Sequence, residues 1–217
     1  MEQDTLTFRQ KQAIAALASE PSLNDAYYLT GGTALAGYYL GHRISDDLDF
    51  FCLEEADRMF LHEFAEELRK KLNAATVRYE RIYDRSQFFF VCEDEELKIE
   101  FTKYPFPQLE APVLRDGIKV DSLRDIAANK LMAMLDRFEP KDFVDLYFLL
   151  QNRVFSDVRR DAEEKFKTKI GSLFLGTELL KARRIEGLPR MIQPLKVEEL
   201  RDFFTDRAQE LAPEILR

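Results

Sequence analysis

Two aspartates in the N-terminal half of the chain have the spacing of a metal-binding pair. Asp47 and Asp49 begin the apolar run 47–53, which predicts a buried strand, so both side chains leave the same face of that strand. Like charges a few ångströms apart raise each other's pKa unless a cation lies between them. Mg²⁺ suits such a pair, because it prefers carboxylate oxygens together with waters and phosphate oxygens. The alternative is that the pair is only solvated, which is commoner for an isolated Asp-x-Asp.

A glycine turn precedes the two aspartates. Gly31 and Gly32 follow the short apolar run 26–30, and a predicted helix, 33–40, comes next. Glycines at this point let the backbone approach a triphosphate, and the N–H groups at the start of a helix favour anions. A lone Gly-Gly is more often a tight turn, and no Walker loop is present. Glycine turn, helix and Asp-x-Asp strand in succession form the signature of the nucleotidyltransferase superfamily, here with a long spacing.

Two strings of residues resemble the AbiEii/AbiGii toxin family of nucleotidyltransferases: LTGGTAL at 29–35 and HRISDDLDF at 42–50. The resemblance implies transfer of a nucleoside monophosphate from an NTP to an acceptor hydroxyl, with two Mg²⁺ ions and release of pyrophosphate. It also implies a toxin of a type IV-like toxin–antitoxin pair, a tRNA or other RNA as the favoured acceptor, and a winged-helix antitoxin as partner. Two other functions stay open: an idle nucleotide-binding or antitoxin-binding module, and transfer to a protein or small-molecule hydroxyl.

Several residues acquire expected roles from this resemblance. Asp47 and Asp49 would hold the metal ions. Arg43 would pair with phosphate or a carboxylate, and Ser45 would hydrogen-bond near the metal site; both are otherwise ordinary loop residues before a strand. The phosphates would be gripped by the glycine turn and the hydroxyl that follows it, that is by Gly31, Gly32 and Thr33.

A third acid is expected, because two-metal phosphoryl transfer usually needs a further carboxylate for the second ion. In the run 97–102, Leu97, Ile99 and Phe101 form the predicted core face and leave Glu100 on the other face. Glu100 is therefore the candidate third metal ligand. Glu96 shares that face, and a solvated strand glutamate is the alternative interpretation.

The segment 125–150 resembles a later block of the same family. Lys130 falls within an apolar helical stripe, where an ammonium group needs a partner. The functional interpretation is a contact with the triphosphate or the acids, and the alternative is a lysine that reaches the edge of its lobe. Asp142 and Asp145 lie three residues apart on the next predicted helix. The resemblance implies that one of them belongs to the last active-site motif. Asp145 is preferred, because its neighbours in sequence are apolar.

The pattern of elements predicts an α+β fold. We expect a nucleotidyltransferase-type mixed-sheet lobe flanked by helices over 1–115 and a helical lobe over 116–217. Strands are predicted at 26–30, 47–53, 76–83, 87–92, 97–102 and 118–120, the middle three as an antiparallel meander. Helices are predicted at 7–18, 33–40, 55–72, 122–138, 140–151, 156–169, 173–183 and 197–211.

Composition narrows the setting. A formal charge of -8 argues against a surface that binds nucleic acid everywhere, because such affinity comes from Lys and Arg. The clearest basic patch consists of Lys181, Arg183, Arg184, Arg190 and Lys196, and its commoner meaning is a solvated face. If the acceptor is RNA, phosphate contacts are expected at this patch and at Arg69, Lys70 and Lys71. No signal peptide or membrane span is evident, so a cytoplasmic protein is expected. His42 and His62 are expected at the surface, and Cys52 and Cys92 as small buried residues.

Overall fold

The computed structural model describes residues 5–54, 57–93 and 95–215. The chain forms two compact units. The first consists of Met1–Gly41 and Ser45–Ser122, and the second of His42–Ile44 and Leu123–Arg217. The first unit extends past residue 115, where the sequence placed the boundary, because the strand that follows pairs with its sheet.

A mixed seven-stranded sheet forms the first unit, in the order β3-β4-β5-β2-β1-β7-β6. Strands β3, β4 and β5 form the predicted antiparallel meander, and β5 continues into the sheet by pairing parallel to β2. The α+β prediction is confirmed. The strands are β1 (Tyr28–Thr30), β2 (Leu48–Cys52), β3 (Thr76–Ile82), β4 (Arg85–Val91), β5 (Glu96–Lys103), β6 (Val113–Arg115) and β7 (Ile118–Val120).

The first-unit helices are α1 (Phe8–Ala18), α2 (Pro21–Ala26), α3 (Gly31–Leu35) and α4 (Arg58–Lys71). A capping box starts α1: the Thr7 side chain accepts from the Gln10 backbone, and the Gln10 side chain accepts from the Thr7 backbone. A π-helical turn, Ala36–Leu40, continues α3 and ends at Gly41, whose φ of +57° places it in the left-handed region.

Each face of the meander has a distinct composition. Phe88, Ile99 and Phe101 lie on one face and are buried, as the alternation in β5 predicted. The rings of Phe88 and Phe101 pack edge to face, with their centroids 6.1 Å apart. On the opposite face the register aligns Asp49 of β2 with Glu100 of β5, and Glu100 with Gln87 of β4. The sheet therefore offers a polar row across three strands.

The second unit is helical, and it includes three residues that interrupt the first unit. The backbone of His42 accepts from Ile192 at 2.9 Å, the Ile44 N–H donates to Arg190 at 2.8 Å, and Arg43 forms a β-bridge with Met191. Its helices are α5 (Leu123–Asp136), α6 (Pro140–Leu150), α7 (Phe155–Phe166), α8 (Ser172–Leu180), α9 (Val197–Glu210) and α10 (Ala212–Ile215), with a 3₁₀ turn at Lys181–Arg184.

Among the described residues, no helix combines the length and apolar character needed to cross a lipid bilayer. Both cysteines are buried in or beside the meander, as predicted.

Candidate active site

The two strand acids of the site are neighbours in the sheet. Asp49 on β2 and Glu100 on β5 occupy paired positions on parallel strands, so their side chains leave the same face about 5 Å apart at the backbone. Asp47 lies one residue before β2, and its side chain is 41% exposed. Asp49 and Glu100 thus lie on one face of the sheet. Asp47 belongs to the loop before the strand, where the sequence predicted a strand residue, and its carboxylate lies 3.8 Å from the Lys98 ammonium.

Gly31 brings the turn backbone against one of these acids. A Cβ built on Gly31 would lie 2.5 Å from the Asp49 Oδ2 atom, and the residue has a φ of +72°. A side chain at this position would have to displace the Asp49 carboxylate and would strain the left-handed backbone. Because Thr30 pairs with Asp49 across β1 and β2, the sheet register itself fixes this approach. The glycine turn and the metal-type acid thus form one compact arrangement.

Thr33 holds the backbone of Asp47 in place through a hydrogen bond. Its side chain is buried, and its hydroxyl donates to the backbone carbonyl of Asp47. The hydroxyl hydrogen is therefore already used, in contrast to the expected donation to a phosphate. What Thr33 retains for an anion is its backbone N–H, one residue beyond the buried Gly32.

Glu100 is buried and fully engaged. Its carboxylate accepts from the Gln87 side-chain amide at 2.6 Å and from the Thr102 hydroxyl at 2.9 Å, and the Lys98 ammonium lies 3.0 Å away. Burial alone would raise the pKa of Glu100, but the Gln87 hydrogen bond and the Lys98 charge lower it below its usual value. Glu96, the other acid of this face, lies at the exposed start of β5 and pairs with Arg78. Glu100 is accordingly the better third acid.

Lys98 supplies a positive charge between the acids, and sequence reasoning gave it no role. Its ammonium lies 3.0 Å from Glu100 Oε2 and 3.8 Å from Asp47 Oδ2. Partial burial would lower the pKa of Lys98, but the Glu100 carboxylate, and to a lesser extent Asp47 and Asp49, raise it. The two-residue spacing from Glu100 was the available signal, because it puts both side chains on one face.

Carboxylate oxygens on one face fit Mg²⁺, which prefers such hard ligands. Among the residues described, however, no three acids, histidines or cysteines already stand together as a ready metal cage. The reason is visible at Glu100, whose oxygens face Lys98, Gln87 and Thr102. An ion held by Asp47 Oδ2 that also reached Glu100 Oε2 would have to replace the Lys98 ammonium, which contacts both of these oxygens.

Gln10 holds the loop that leads to Asp47, and it was missed in the sequence. Its side-chain amide is fully buried and donates to the carbonyls of Ser45 and Asp46 at 2.8 and 3.0 Å. Ser45 thus enters the site through its backbone. The local signal was the position of Gln10 on the apolar face of the predicted helix, where a polar side chain needs a partner. The partners themselves lie about 35 residues further along the chain.

A second cluster of charges lies within the helical unit, around Asp145. Arg43 binds this carboxylate with Nε and Nη2 at 2.6 and 2.8 Å, Lys130 approaches it to 2.6 Å, and His42 Nε2 lies 2.8 Å away. Asp145 is fully buried. Burial would raise its pKa, but Lys130 and the hydrogen bonds from Arg43 and His42 hold the pKa of this carboxyl far below its usual range. Arg43 therefore has a carboxylate as its partner.

Asp142 extends this cluster. The Lys130 ammonium also reaches Asp142 at 3.1 Å, and the Arg137 guanidinium binds the same acid at 2.8 Å. Burial would lower the pKa of Lys130, yet Asp145 and Asp142 raise it; the pKa of Asp142 is lowered, mainly by Lys130 and Arg137 against the effect of burial. Lys130 is buried as the apolar stripe predicted, and two carboxylates of its own unit compensate its charge.

The placement of the histidines corrects one expectation. His42, expected at the surface, is 0% exposed, because Asp145 gives its ring nitrogen a buried partner and Phe148 packs against its ring. His62 is exposed, as predicted, with its ring against Tyr79.

Comparison with known proteins decides the family. The family model described as nucleotidyl transferase AbiEii toxin, type IV TA system, matches residues 12–214. The chain belongs to this family. The chain is also 30% identical to the uncharacterized protein aq_aa25 of Aquifex aeolicus (strain VF5) over 207 residues, 93% of this chain and 95% of the relative.

Two solved structures share the fold of this AbiEii family member. JHP933 from Helicobacter pylori is 20% identical, with a TM-score of 0.59, and the match covers 95% of this chain and 90% of that one. MenT4, a nucleotidyltransferase toxin (Rv2826c) from Mycobacterium tuberculosis H37Rv, is 19% identical, with a TM-score of 0.55 and coverage of 93% and 85%. The chain is thus a nucleotidyltransferase by family, and a nucleoside triphosphate is its substrate.

Proposed function

We propose that this AbiEii family member transfers a nucleoside monophosphate from an NTP to a hydroxyl of tRNA or another RNA, with Mg²⁺ as its metal. The observation that carries the proposal is the close fit of Gly31 against Asp49, beside Glu100 on the next strand. A backbone turn that can face phosphates and a carboxylate that can bind a cation are thereby brought together, as a metal-bound triphosphate requires.

The residues of the first unit take the following roles in this proposal. Asp47 and Asp49 hold two Mg²⁺ ions, which when bound neutralise charge on the phosphates and lower the pKa of the acceptor hydroxyl. Glu100 completes the acceptor side. The backbone N–H groups of Gly31, Gly32 and Thr33 orient the phosphates, and Thr33 and Gln10 fix the loop that carries Asp47.

The transfer itself needs no covalent enzyme intermediate. The acceptor oxygen forms a bond to the α-phosphorus, the bond from that phosphorus to the β-phosphate oxygen breaks, and pyrophosphate leaves. The acceptor proton passes to Glu100 or to water. The lowered pKa of Glu100 keeps it ionised at neutral pH, which suits a metal ligand, and makes it a weaker base than an ordinary glutamate.

The second unit contributes positioning in this proposal. Asp145 anchors Arg43 and is itself bound by Lys130, and the chain runs from Arg43 through Ser45 to Asp47 in four residues. The exposed basic side chains of Arg183, Arg184, Arg190 and Lys196 are the candidate RNA contacts of this unit. We also propose that the protein is cytoplasmic and acts as the toxin of a type IV-like pair, with a winged-helix antitoxin as partner.

The first experiment incubates the protein with each α-³²P-labelled NTP, total bacterial RNA and Mg²⁺, with and without a chelator. Asp47→Asn and Asp49→Asn are compared with Asp46→Asn, an exposed neighbour that makes a matched control. We expect label on tRNA-sized RNA in the wild type and in Asp46→Asn only, and no label with the chelator. Label on protein or on a small molecule would replace RNA as the acceptor. Mg²⁺-dependent NTP binding without any label would instead support an idle binding module.

A further inference from the structure

Lys98 occupies the position between the two acids that the proposed acceptor-side ion would share. Its ammonium is 3.0 Å from Glu100 Oε2 and 3.8 Å from Asp47 Oδ2, and its side chain is 24% exposed. A divalent cation bound to the same two oxygens would lie about 2 Å from each of them. The ammonium and the metal ion therefore cannot occupy this position together.

The acids would repel one another without a cation in this place. Asp47, Asp49 and Glu100 bring three carboxylates to one face, and Lys98 supplies the ammonium that offsets part of their charge. Lysine suits this purpose better than arginine does, because its ammonium is a compact point charge on a flexible stem that can swing away. The partial exposure of the stem leaves it room to do so.

Glu100 can exchange its cation without losing its place. The Gln87 amide holds one of its oxygens at 2.6 Å and the Thr102 hydroxyl holds the other at 2.9 Å. Both donors are neutral and lie on the sheet, so they orient the carboxylate whichever cation is present. The Arg85 guanidinium also approaches this acid, with Nε 3.6 Å from Oε1. The Lys98 ammonium is the closer charge and lies at Oε2, on the side of Asp47, so it is the contact that a shared metal ion would directly replace.

We propose that Lys98 is a built-in counter-cation that holds the acceptor-side metal position when no metal is bound and yields it to a divalent ion. The inference rests on the proposed function, because it takes Asp47 and Glu100 as ligands of that ion. Lys98 makes the acceptor-side ion the weaker of the two, so that this ion binds after the one held by Asp47 and Asp49. Once displaced, the ammonium is free to contact a phosphate oxygen of the bound substrate.

Binding of Mn²⁺ to the full chain tests this role without measuring activity. Free Mn²⁺ is counted by electron paramagnetic resonance during titration of the wild type, Lys98→Met, Lys98→Arg and Lys103→Met. Lys103 is the matched control, because it lies on the same strand and is exposed on the opposite face. We expect Lys98→Met to bind the weaker Mn²⁺ roughly tenfold more tightly, since a like charge a few ångströms away is removed. Lys103→Met should stay close to the wild type. Lys98→Arg keeps the positive charge on a group that yields less readily, so it should bind the weaker Mn²⁺ no more tightly than the wild type does.

A thermal readout complements the titration. In chelator, Lys98→Met should melt below the wild type, because the acids repel one another without the ammonium. Mn²⁺ should raise the melting temperature of Lys98→Met by more than that of the wild type, since a ligand stabilises the state that binds it. Lys103→Met should show neither effect.

The two proposals fail in different ways. If Asp49→Asn loses the tighter Mn²⁺ while Lys98→Met binds both ions as the wild type does, the role of Lys98 is wrong and the proposed metal site stands. If neither the wild type nor Lys98→Met binds Mn²⁺, even with a non-hydrolysable NTP present, the proposed metal-dependent function is wrong and the role of Lys98 falls with it.

Discussion

Arg43 and Asp145 form a bidentate ion pair in which Nε donates to Oδ1 at 2.6 Å and Nη2 donates to Oδ2 at 2.8 Å. Both side chains are buried, and 102 residues separate them in the chain. Such a planar, two-point contact fixes direction as well as distance. It holds Arg43, four residues before Asp47, in a defined place within the helical unit.

Removing the charge of Asp145 should therefore destabilise the protein strongly. Asp145→Asn leaves Arg43 and Lys130 buried with less compensation, and breaking one partner of a buried pair costs about 3 to 5 kcal/mol. Urea unfolding at pH 7 measures the change. Asp157→Asn is the control, because Asp157 is half exposed and forms an exposed ion pair with Arg160; it should change stability by less than about 0.5 kcal/mol. A loss below about 1 kcal/mol in Asp145→Asn would contradict a structural role for this pair.

The same cluster predicts how stability depends on acid. Asp142 and Asp145 have lowered pKa values in the folded protein, whereas in the unfolded chain they take up protons near pH 3.9 or so. Their stabilisation is therefore complete above about pH 5 and declines as the pH falls below about 4, because the unfolded state then binds more protons.

Urea unfolding at several pH values between 3 and 7 tests this dependence. The wild type should lose stability towards acid more steeply than Asp145→Asn, which no longer has the titrating group. Lys130, whose pKa is raised, stays charged throughout this range and should not contribute to the slope. Parallel curves for the two proteins would show that Asp145 does not titrate as its surroundings imply.

Substitution of Gly31, compared with substitution of Gly41, separates the energetic cost of backbone strain from the cost of a steric clash with Asp49. Gly31→Ala places a methyl group 2.5 Å from Asp49 Oδ2 and also forces alanine into a φ of +72°. Gly41→Ala has the same kind of backbone cost, with a φ of +57°, but nothing lies within 4 Å of its Cβ. Both variants should lose about 1 to 2 kcal/mol of stability from the left-handed backbone.

Activity should distinguish the two glycines. Displacing Asp49 by even an ångström is expected to reduce kcat/KM on the order of a hundredfold in Gly31→Ala, while Gly41→Ala should retain nearly all of its activity. Steady-state kinetics of nucleotide transfer, measured once the acceptor is known, gives the comparison. Equal losses in both variants would mean that backbone strain, and not the contact with Asp49, makes Gly31 necessary.

Gln10 offers a test of the loop that carries Asp47. Gln10→Glu keeps an acceptor for the Thr7 backbone but replaces the amide donor by a carboxylate that faces the carbonyls of Ser45 and Asp46. We expect a loss of about 2 to 3 kcal/mol from the unsatisfied buried groups, together with a lower kcat. Gln12→Glu, half-buried on the same helix, is the control. Unchanged melting and unchanged kcat in Gln10→Glu would remove Gln10 from the site.

Local patterns were sufficient for most of the fold. The alternation in β5 and the helical stripe around Lys130 each reflect a periodicity that a single element imposes, and the structure places both as predicted. The short elements were missed for a physical reason. Strand β6 has only three residues, all of them exposed at the edge of the sheet, and therefore shows no alternation of buried and exposed positions; α2 is a single short helix begun by Pro21.

Only part of the candidate site could be predicted, because some of its residues form a local motif whereas others make contacts with residues far away in the chain. Asp47 and Asp49 lie in one short string, which is why spacing revealed them. Gln10, in contrast, acts on carbonyls about 35 residues away, and the partners of Asp145 are brought to it by tertiary packing. The periodicity of a single element carries no information about such contacts. The partners of Thr33 and Lys98 therefore became known only from the structure.

The short segment His42–Ile44 determines whether the helical unit can be exchanged between members of this family. These three residues pair with Arg190, Met191 and Ile192, while the residues on both sides of them belong to the sheet unit. A fragment beginning at Leu123 would lack the guanidinium that neutralises Asp145 and the short segment that bridges to Met191. Grafting the helical unit of a relative onto this sheet should thus succeed only if that relative's own tripeptide is transplanted with it. The two units are therefore not freely interchangeable modules.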